Sequence, residues 1–307
     1  MIYVTSYKSP DLDGVACSIG YAELVRQKGE VAKPVYYGKQ GLETKFFVEK
    51  YGELPITHKE GGYVGGDRFV LLDTADPDAV DPEINPGQVL EVFDHRQLVF
   101  TEKFANATLH IELVGSCATL VTEEYRKNQL SPTLLTAQLL YGAIISNTIN
   151  FKNKVTTDRD KTAAEWLKPI AGITDGFIKE MFDRKSQITP ANLQETLLQD
   201  FSVKEIGEKR FGIAQLEITD LEKCVRENQE AIEVFLNRMK IEKELDFSLF
   251  TGIDIYEGYN ILLAVDGESG KMFGEVLNLD LSNGRFRTES IIMRKEIWPK
   301  IKAYYES

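Results

Sequence analysis

Acidic side chains follow three separate apolar strands of the predicted fold, and this pattern restricts the fold more than any other feature of the sequence. The predicted strands 2–5, 69–72 and 89–93 lead respectively to Asp11 and Asp13, to Asp73, and to Asp94 next to His95. Carboxylates beside buried strands are costly unless they are paired or bind a cation. The pattern therefore predicts a site for one or two hard divalent cations. The Asp11-Leu12-Asp13 segment taken alone also fits a helix cap.

Strands and helices alternate along the first part of the chain, which is typical of a doubly wound, mainly parallel α/β sheet. Apolar residues at helical spacing predict helices over residues 11–29, 42–51, 116–128, 132–146 and 158–171. In such sheets ligands bind at the carboxyl ends of the strands, where the acidic residues lie.

The apolar periodicity lapses over residues 184–190, which we predict to be a linker between two domains. The first domain then covers residues 1–186 and the second covers residues 191–307. The second domain has an α+β pattern, with predicted strands at 203–206, 211–218, 248–255, 259–265 and 288–292, a long helix over 221–243 and a closing helix after Met293.

Charge and composition exclude several functions. The formal net charge of −12 argues against a nucleic-acid partner. Divalent metals and a few aimed basic residues can still give an acidic protein a polyanionic substrate. The chain shows neither a signal-peptide pattern nor an apolar run of the roughly 20 residues that span a bilayer, so we expect no membrane partner. Cys17, Cys117 and Cys224 are far apart in sequence, which favours reduced, buried thiols in a cytoplasmic protein.

The order of these motifs resembles that of the DHH phosphoesterases, and the spacing is similar to that of the manganese-dependent (family II) inorganic pyrophosphatases. The resemblance rests on the segments that follow, in chain order: Asp11 and Asp13, Asp73, Asp94-His95-Arg96, 114–119, 143–148 with 151–152, 157–160, Lys204, and Met293-Arg294-Lys295. It implies a DHH domain followed by a smaller DHH-associated domain, with the active site between them and a homodimer formed through the first domain.

The resemblance also implies a role for each matching residue. It implies that Mn²⁺, or Mg²⁺ or Co²⁺, binds as one or two ions to Asp11, Asp13, Asp73 as the bridging ligand, His95 and, weakly, Asn147. Asp94 is expected to orient His95 from behind, and Tyr7 to hydrogen-bond or to occlude the site. Substrate phosphates are expected to contact Arg96, Lys204, Arg294 and Lys295.

Three positions depart from the family pattern: Tyr7 and Arg96 stand where the family has histidines, and Asn147 stands where it has an aspartate. The Asp-His-Arg form and the missing first-strand histidine are shared with the prune and exopolyphosphatase branch. Arg96 cannot serve as a general acid, because its pKa lies above about 12, but it can clamp a phosphate. Without a proton donor, a phosphate leaving group departs more easily than an alkoxide.

The sequence therefore favours hydrolysis of a phosphoanhydride, either inorganic pyrophosphate or short polyphosphate, over hydrolysis of phosphomonoesters. Two alternatives stay open. One is a prune-like exopolyphosphatase or phosphodiesterase, favoured by Arg96. The other is a phosphate-binding pseudoenzyme with a regulatory role, favoured by the joint changes at Tyr7, Arg96 and Asn147.

Overall fold

The structure is a computed structural model that describes residues 1–96, 101–174, 176–186, 188, 189 and 191–306. The chain divides into two units, Met1–Lys185 and Ser186–Ser307, which we call unit 1 and unit 2. The division falls within the segment 184–190 that we predicted to be a linker. Gln187 and Pro190 of that segment lie outside the described residues.

Unit 1 contains a six-stranded sheet in which every neighbouring pair of described strands is parallel. In chain order its strands are β1 (Ile2–Thr5), β2 (Ala32–Tyr36), β3 (Thr57–His58), β4 (Arg68–Leu72), β5 (Val89–Asp94) and β6 (Thr108–Ile111). Their order across the sheet is β3-β2-β1-β4-β5-β6. Because β1, β4 and β5 are neighbours, their carboxyl ends bring the three predicted acidic segments to one edge. The predicted doubly wound α/β class is confirmed.

Five of the six helices described in unit 1, all except the last, lie where the apolar periodicity predicts them. The six helices are α1 (Leu12–Gln27), α2 (Leu42–Tyr51), α3 (Cys117–Lys127), α4 (Leu134–Asn147), α5 (Asp158–Ala171) and α6 (Phe177–Lys185). Helices α1 and α4 pack against each other and are buried over most of their length. This burial on all sides agrees with their nearly continuous small and apolar sequences. The ends of these two helices therefore hold polar side chains in fixed positions.

Unit 2 contains a five-stranded mixed sheet in the order β11-β10-β9-β8-β7. Its elements are α7 (Leu193–Gln199), β7 (Phe201–Ile206), β8 (Lys209–Ile218), α8 (Leu221–Glu242), β9 (Phe247–Asp254), β10 (Tyr259–Ala264), α9 (Gly267–Leu277), β11 (Arg285–Arg287) and α10 (Arg294–Glu306). One apolar cluster lies between the sheet and α7 and α8, and a second lies between the opposite face and α9 and α10. This arrangement confirms the predicted α+β character of the second domain.

The predicted strand 288–292 is wrong, because the last strand is Arg285–Arg287. Residues 288–292 follow this strand, and a buried side chain holds Ile292 in place of strand pairing. Asn260 accepts a hydrogen bond from Ile292 N at 2.9 Å, and its amide nitrogen donates to Ile292 O at 2.8 Å. The β-type composition of residues 288–292 gives no sign of this side-chain contact. The sequence prediction also missed β3, β6, α6, α7 and α9.

No helix within the described ranges is both long enough and apolar enough to cross a membrane.

Candidate metal centre

Asp13, Asp73 and His95 form a compact group of potential metal ligands at the carboxyl edge of the unit 1 sheet. One ligand atom from each residue lies within 4.8 Å of the ligand atoms of the other two. Asp13 is completely buried, and Asp73 is 2% exposed. Two carboxylate oxygens and one imidazole nitrogen form a donor set that suits Mn²⁺ or another borderline-hard divalent cation. The structure thus brings together three of the five residues predicted as ligands.

Asp73 provides the observation that best fits a cation. Its Oδ1 atom is buried without a hydrogen-bond partner, and it lies 3.3 Å from His95 Nε2. Burial and the nearby Asp13 charge raise the pKa of the Asp73 carboxyl to about 8, although His95 opposes this rise. A buried carboxylate with an unpaired oxygen is costly unless a cation compensates it. The residues present therefore fit a divalent ion.

The backbone at Asp73 is also unusual. Asp73 directly follows β4 and has a φ of 58°, in the left-handed region. Aspartate and asparagine tolerate this region better than most residues. Such conformations occur most often where the surrounding structure fixes them for a functional purpose.

His95 is oriented by a backbone carbonyl. Its Nδ1 atom lies 3.1 Å from Val114 O, which leaves Nε2 directed toward Asp73. An Nδ1–H donated to a carbonyl fixes the tautomer in which Nε2 can bind a metal. Burial lowers the pKa of His95, but the Asp73 and Asp13 carboxylates outweigh burial and raise it to about 9. A metal at Nε2 therefore competes with a proton.

Asp13 is held at the N-terminus of α3. Its carboxylate accepts hydrogen bonds from Cys117 N at 2.8 Å and Ala118 N at 2.9 Å, which are two of the unpaired amides at the helix start. The Cys17 thiol and the Asn147 amide also donate to this carboxylate, at 3.3 and 2.6 Å. These donors and the helix dipole stabilise the Asp13 charge.

Asp94 lies behind the group, but it contacts different residues from those we expected. Its carboxylate accepts hydrogen bonds from Ala75 N at 2.8 Å and from the backbone N and Nε of Arg96, both at 3.0 Å. We expected Asp94 to orient His95, whereas the observed partner of His95 Nδ1 is Val114 O. Asp94 therefore orients Arg96.

One side of the Arg96 guanidinium is held by hydrogen bonds, and the rest of the side chain reaches the surface. Its Nη2 donates to Asp73 O at 2.6 Å and lies 3.6 Å from Asp73 Oδ1. The side chain is 47% exposed. Guanidinium N–H groups on the exposed part can bind an anion while Asp94 holds the rest in place.

Asp11 and Tyr7 lie beside the group rather than within it. Asp11 caps α1 and accepts hydrogen bonds from Asp13 N and Gly14 N at 2.9 and 3.2 Å. Burial, Asp13 and Glu43 together raise the pKa of the Asp11 carboxyl to about 6. Both descriptions of the Asp11 segment, helix cap and acidic site, therefore apply to it.

Tyr7 remains a neutral phenol. Its hydroxyl accepts a hydrogen bond from Asp11 N at 3.1 Å. Burial and the charges of Asp11 and Asp73 raise the pKa of Tyr7 far above its ordinary value. A neutral phenol is a poor metal ligand, so the observed hydrogen bond is in line with the role that we expected.

Asn147 reaches the site as a hydrogen-bond donor. It is the last residue of α4, and its Nδ2 atom lies 2.6 Å from Asp13 Oδ2. The next turn is left-handed at Ile149, Asn150 and Phe151. That turn is held by the hydrogen bond from Phe151 N to Thr148 Oγ1 at 3.2 Å. The carboxylate of Asp13 explains why the amide nitrogen, rather than the oxygen, faces it.

Sequence reasoning missed Glu43, a buried acid at the start of α2 that adds to the negative charge of the site. It accepts a short hydrogen bond from the hydroxyl of Ser146, and its charge raises the pKa of Asp11. A signal was available, because α2 follows β2, the strand next to β1. The start of α2 therefore lies near the same edge of the sheet as the acidic segments.

The three basic residues predicted for substrate lie on unit 2. Lys204, on β7, has its Nζ atom 5.5 Å from the centre of the Trp298 ring on α10. Arg294 and Lys295 begin α10, and Arg294 pairs with Asp200 at 2.5 Å, immediately before β7. Contacts between α10 and β7 bring the three residues to one region of unit 2.

Comparisons with known proteins agree with this architecture. Residues 1–144 match the DHH family, N-terminal domain, and residues 179–304 match the DHHA2 domain. The manganese-dependent inorganic pyrophosphatase of Bacillus subtilis (strain 168) is 28% identical over 298 residues, which cover 96% of this chain and 95% of that protein.

Solved structures give the same result. A Methanococcus jannaschii protein assigned to the family II inorganic pyrophosphatases aligns over the whole of both chains, with a TM-score of 0.72 and 27% identity. An exopolyphosphatase-related protein from Bacteroides fragilis aligns over 99% of this chain and 92% of its own, with a TM-score of 0.53 and 15% identity. At that identity the likeness concerns the fold alone.

Proposed function

Since the chain belongs to the DHH family, with a DHH domain followed by a DHHA2 domain, we propose that it is a metal-dependent hydrolase of inorganic pyrophosphate or short polyphosphate. The observation that carries this proposal is the Asp13–Asp73–His95 group, with its unpartnered, buried Asp73 oxygen. The manganese-dependent pyrophosphatase of Bacillus subtilis supports Mn²⁺ as the metal and pyrophosphate as the first substrate to test.

Asp13, Asp73 and His95 hold the metal in this proposal. When bound, a divalent ion of this kind acts as a Lewis acid that activates water and offsets phosphate charge. The chain fixes all three ligands through backbone contacts: the amides at the start of α3 hold Asp13, a left-handed turn holds Asp73, and Val114 O holds His95. Fixed ligands do not have to reorganise during the reaction, which is the source of much enzymatic rate enhancement.

Arg96 contacts the substrate phosphate from the exposed part of its guanidinium. Its permanent charge stabilises negative charge on phosphoryl oxygens, but it cannot donate a proton to a leaving group. A phosphate leaving group tolerates this better than an alkoxide does. Arg96 therefore favours phosphoanhydrides over phosphomonoesters.

Lys204, Arg294 and Lys295 bind the remaining phosphate charge in this proposal. The family resemblance supports their assignment, and the Lys204 side chain lies against Trp298 of α10, the helix that Arg294 and Lys295 begin. Cations of this kind let a chain with net charge −12 take a polyanionic substrate.

We also propose that the chain forms a homodimer through unit 1. The strand β6 is an edge strand among those described and carries the half-exposed Leu109. An exposed edge with apolar side chains is suited to pairing with a second copy.

The test is phosphate release from pyrophosphate, tripolyphosphate and a phosphodiester, each with Mn²⁺, Mg²⁺ and Co²⁺. We expect turnover of pyrophosphate or tripolyphosphate, highest with Mn²⁺, and little turnover of the phosphodiester. Progressive release from long chains would favour the exopolyphosphatase alternative. Binding of pyrophosphate without any release, under all three metals, would mean that the protein is a phosphate-binding pseudoenzyme.

A further inference from the structure

The described groups around Asp73 provide ligands for one divalent ion. Asp13, Asp73 and His95 form the single group of at least three potential ligands found among the described residues. Two other nearby carboxylates, Asp94 and Asp11, lie outside this group. Asp94 binds Ala75 N and Arg96, and Asp11 caps α1 through Asp13 N and Gly14 N.

The two neutral side chains at the edge of the group do not extend this ligand set. Asn147 presents its amide nitrogen, a donor, to Asp13 at 2.6 Å. The hydroxyl oxygen of Tyr7 already accepts a hydrogen bond from Asp11 N at 3.1 Å. A second ion would need these positions to supply anionic or imidazole ligands.

Arg96 already supplies a positive charge next to Asp73. Its Nη2 atom is 3.6 Å from Asp73 Oδ1 and donates to Asp73 O at 2.6 Å. The completely buried Asp94 carboxylate holds its Nε at 3.0 Å. Since arginine stays protonated at all ordinary pH values, this charge is permanent. A second divalent ion beside Asp73 would be repelled by the guanidinium.

We propose that this site binds one divalent ion per chain and that the Arg96 guanidinium supplies the second positive charge. Asp13, Asp73 and His95 would hold the ion, and Asp73 also contacts the fixed guanidinium. The number of ions rests on the ligand set and on the charge of Arg96, whereas the action of Arg96 on a phosphate rests on the proposed function.

The experiment measures Mn²⁺ bound per chain by equilibrium dialysis, with metal quantified by atomic absorption and without phosphate present. Mn²⁺ is raised well above the dissociation constant of the first ion. We compare the natural protein with the triple variant Tyr7→His, Arg96→His, Asn147→Asp, which adds two imidazoles and a carboxylate and removes the guanidinium. A matched control, Arg126→His with Asn128→Asp, makes similar changes at exposed positions near the end of α3.

We expect one ion in the natural protein and in the control, and two ions in the triple variant. Electron paramagnetic resonance of the Mn²⁺-loaded proteins gives an independent readout, because two ions sharing Asp73 couple magnetically and a lone ion does not. Two ions or no ion in the natural protein would overturn the proposal, whatever the variant does. A folded triple variant that still binds one ion would also overturn it, because the three replaced residues would then not be what limits the number.

The same samples separate this inference from the proposed function. One bound ion without phosphate release would leave the ion count standing and contradict hydrolysis. Two bound ions with rapid pyrophosphate hydrolysis would do the reverse.

Discussion

At the scale of single residues, Asp73 has three features that are unfavourable for folding. The carboxylate is buried, strained in its backbone and short of one hydrogen bond. Each of these features costs folding free energy, of the order of 1–3 kcal/mol for such strained or unsatisfied groups. No described contact of the folded chain compensates Oδ1 fully, since His95 and Arg96 lie 3.3 and 3.6 Å away. The proposed cation would compensate this cost.

Asp73→Asn tests this conclusion without changing the shape of the turn, since asparagine tolerates a positive φ. We expect Mn²⁺ affinity to fall at least about 100-fold, because removing a ligand should exceed the roughly 10–100-fold effect of removing its outer partners. The metal-free variant should melt at about the same temperature as the metal-free natural protein, because burial raises the pKa of Asp73 to about 8 and leaves the carboxyl largely uncharged at neutral pH.

Isothermal titration with Mn²⁺ and thermal melting, each with and without chelator, measure both effects. Asp78→Asn is the control, because Asp78 is an exposed acid five positions further along the chain, with a side chain 83% exposed. An Asp73→Asn variant with unchanged Mn²⁺ affinity would show that Asp73 is not a ligand.

The residue-level prediction from sequence was correct about which segments meet and incomplete about which side chains touch. Asp13, Asp73 and His95 meet because the strands before them are neighbours, and that follows from strand patterning. The partners of Asp94 and His95 depend on side-chain directions after the strand ends. Periodicity carries no information about those directions, so Val114 and Glu43 were not foreseen.

At the scale of elements, the contact between the starts of α3 and α5 helps to fix the position of Asp13. Asp160 is completely buried and forms a capping box with Thr157 at the start of α5. The same carboxylate accepts hydrogen bonds from Gly115 N at 2.9 Å and Thr119 Oγ1 at 2.6 Å. It thereby fixes the start of α3, whose amides hold Asp13. The lack of a side chain at Gly115 is necessary, since a Cβ there would lie 2.6 Å from Thr148 Cγ2.

Asp160→Asn should therefore weaken both the fold and the site. We expect a loss of about 2 kcal/mol in the free energy of unfolding, because a buried carboxylate that accepts several hydrogen bonds is replaced by a group with fewer acceptors. Mn²⁺ affinity should fall as well, because the α3 amides that hold Asp13 become less ordered.

Urea unfolding and Mn²⁺ titration measure these two quantities. Asp158→Asn serves as the control, because Asp158 lies in the same helical turn with a side chain 97% exposed. Its effect on stability should stay within about 0.5 kcal/mol. Equal effects of the two substitutions would contradict the role given to Asp160.

At the scale of the whole molecule, the sequence predicted both domains and their fold classes, because alternation of strands and helices differs visibly from the α+β pattern of the second half. The strand predicted at 288–292 is wrong, because Asn260 holds residue 292 through side-chain hydrogen bonds instead of strand pairing. The two units divide the proposed work: unit 1 carries the metal ligands and unit 2 carries Lys204, Arg294 and Lys295.

Lys204→Ala tests this division. We expect KM for pyrophosphate to rise about tenfold, equivalent to about 1.4 kcal/mol, because a phosphate contact is lost. Mn²⁺ affinity should not change, because Lys204 belongs to unit 2. The control is Lys271→Ala, an exposed lysine of the same unit. Arg294→Ala should also raise KM, but it should destabilise unit 2, since Arg294 pairs with Asp200. Weaker Mn²⁺ binding in Lys204→Ala would contradict the division.

The proposed homodimer can be tested at the edge strand β6. A two-fold axis lets two copies of one edge strand pair with each other, which satisfies backbone groups that a lone edge leaves to water. Leu109→Lys places a charge in this strand, so we expect it to convert a dimer of twice the chain mass into a monomer. Leu134→Lys is the control, because Leu134 is an exposed leucine of α4 in the same unit. Light scattering after size-exclusion chromatography measures the mass. A natural protein that is monomeric at all concentrations, or a Leu109→Lys variant that stays dimeric, would show that β6 does not form the interface.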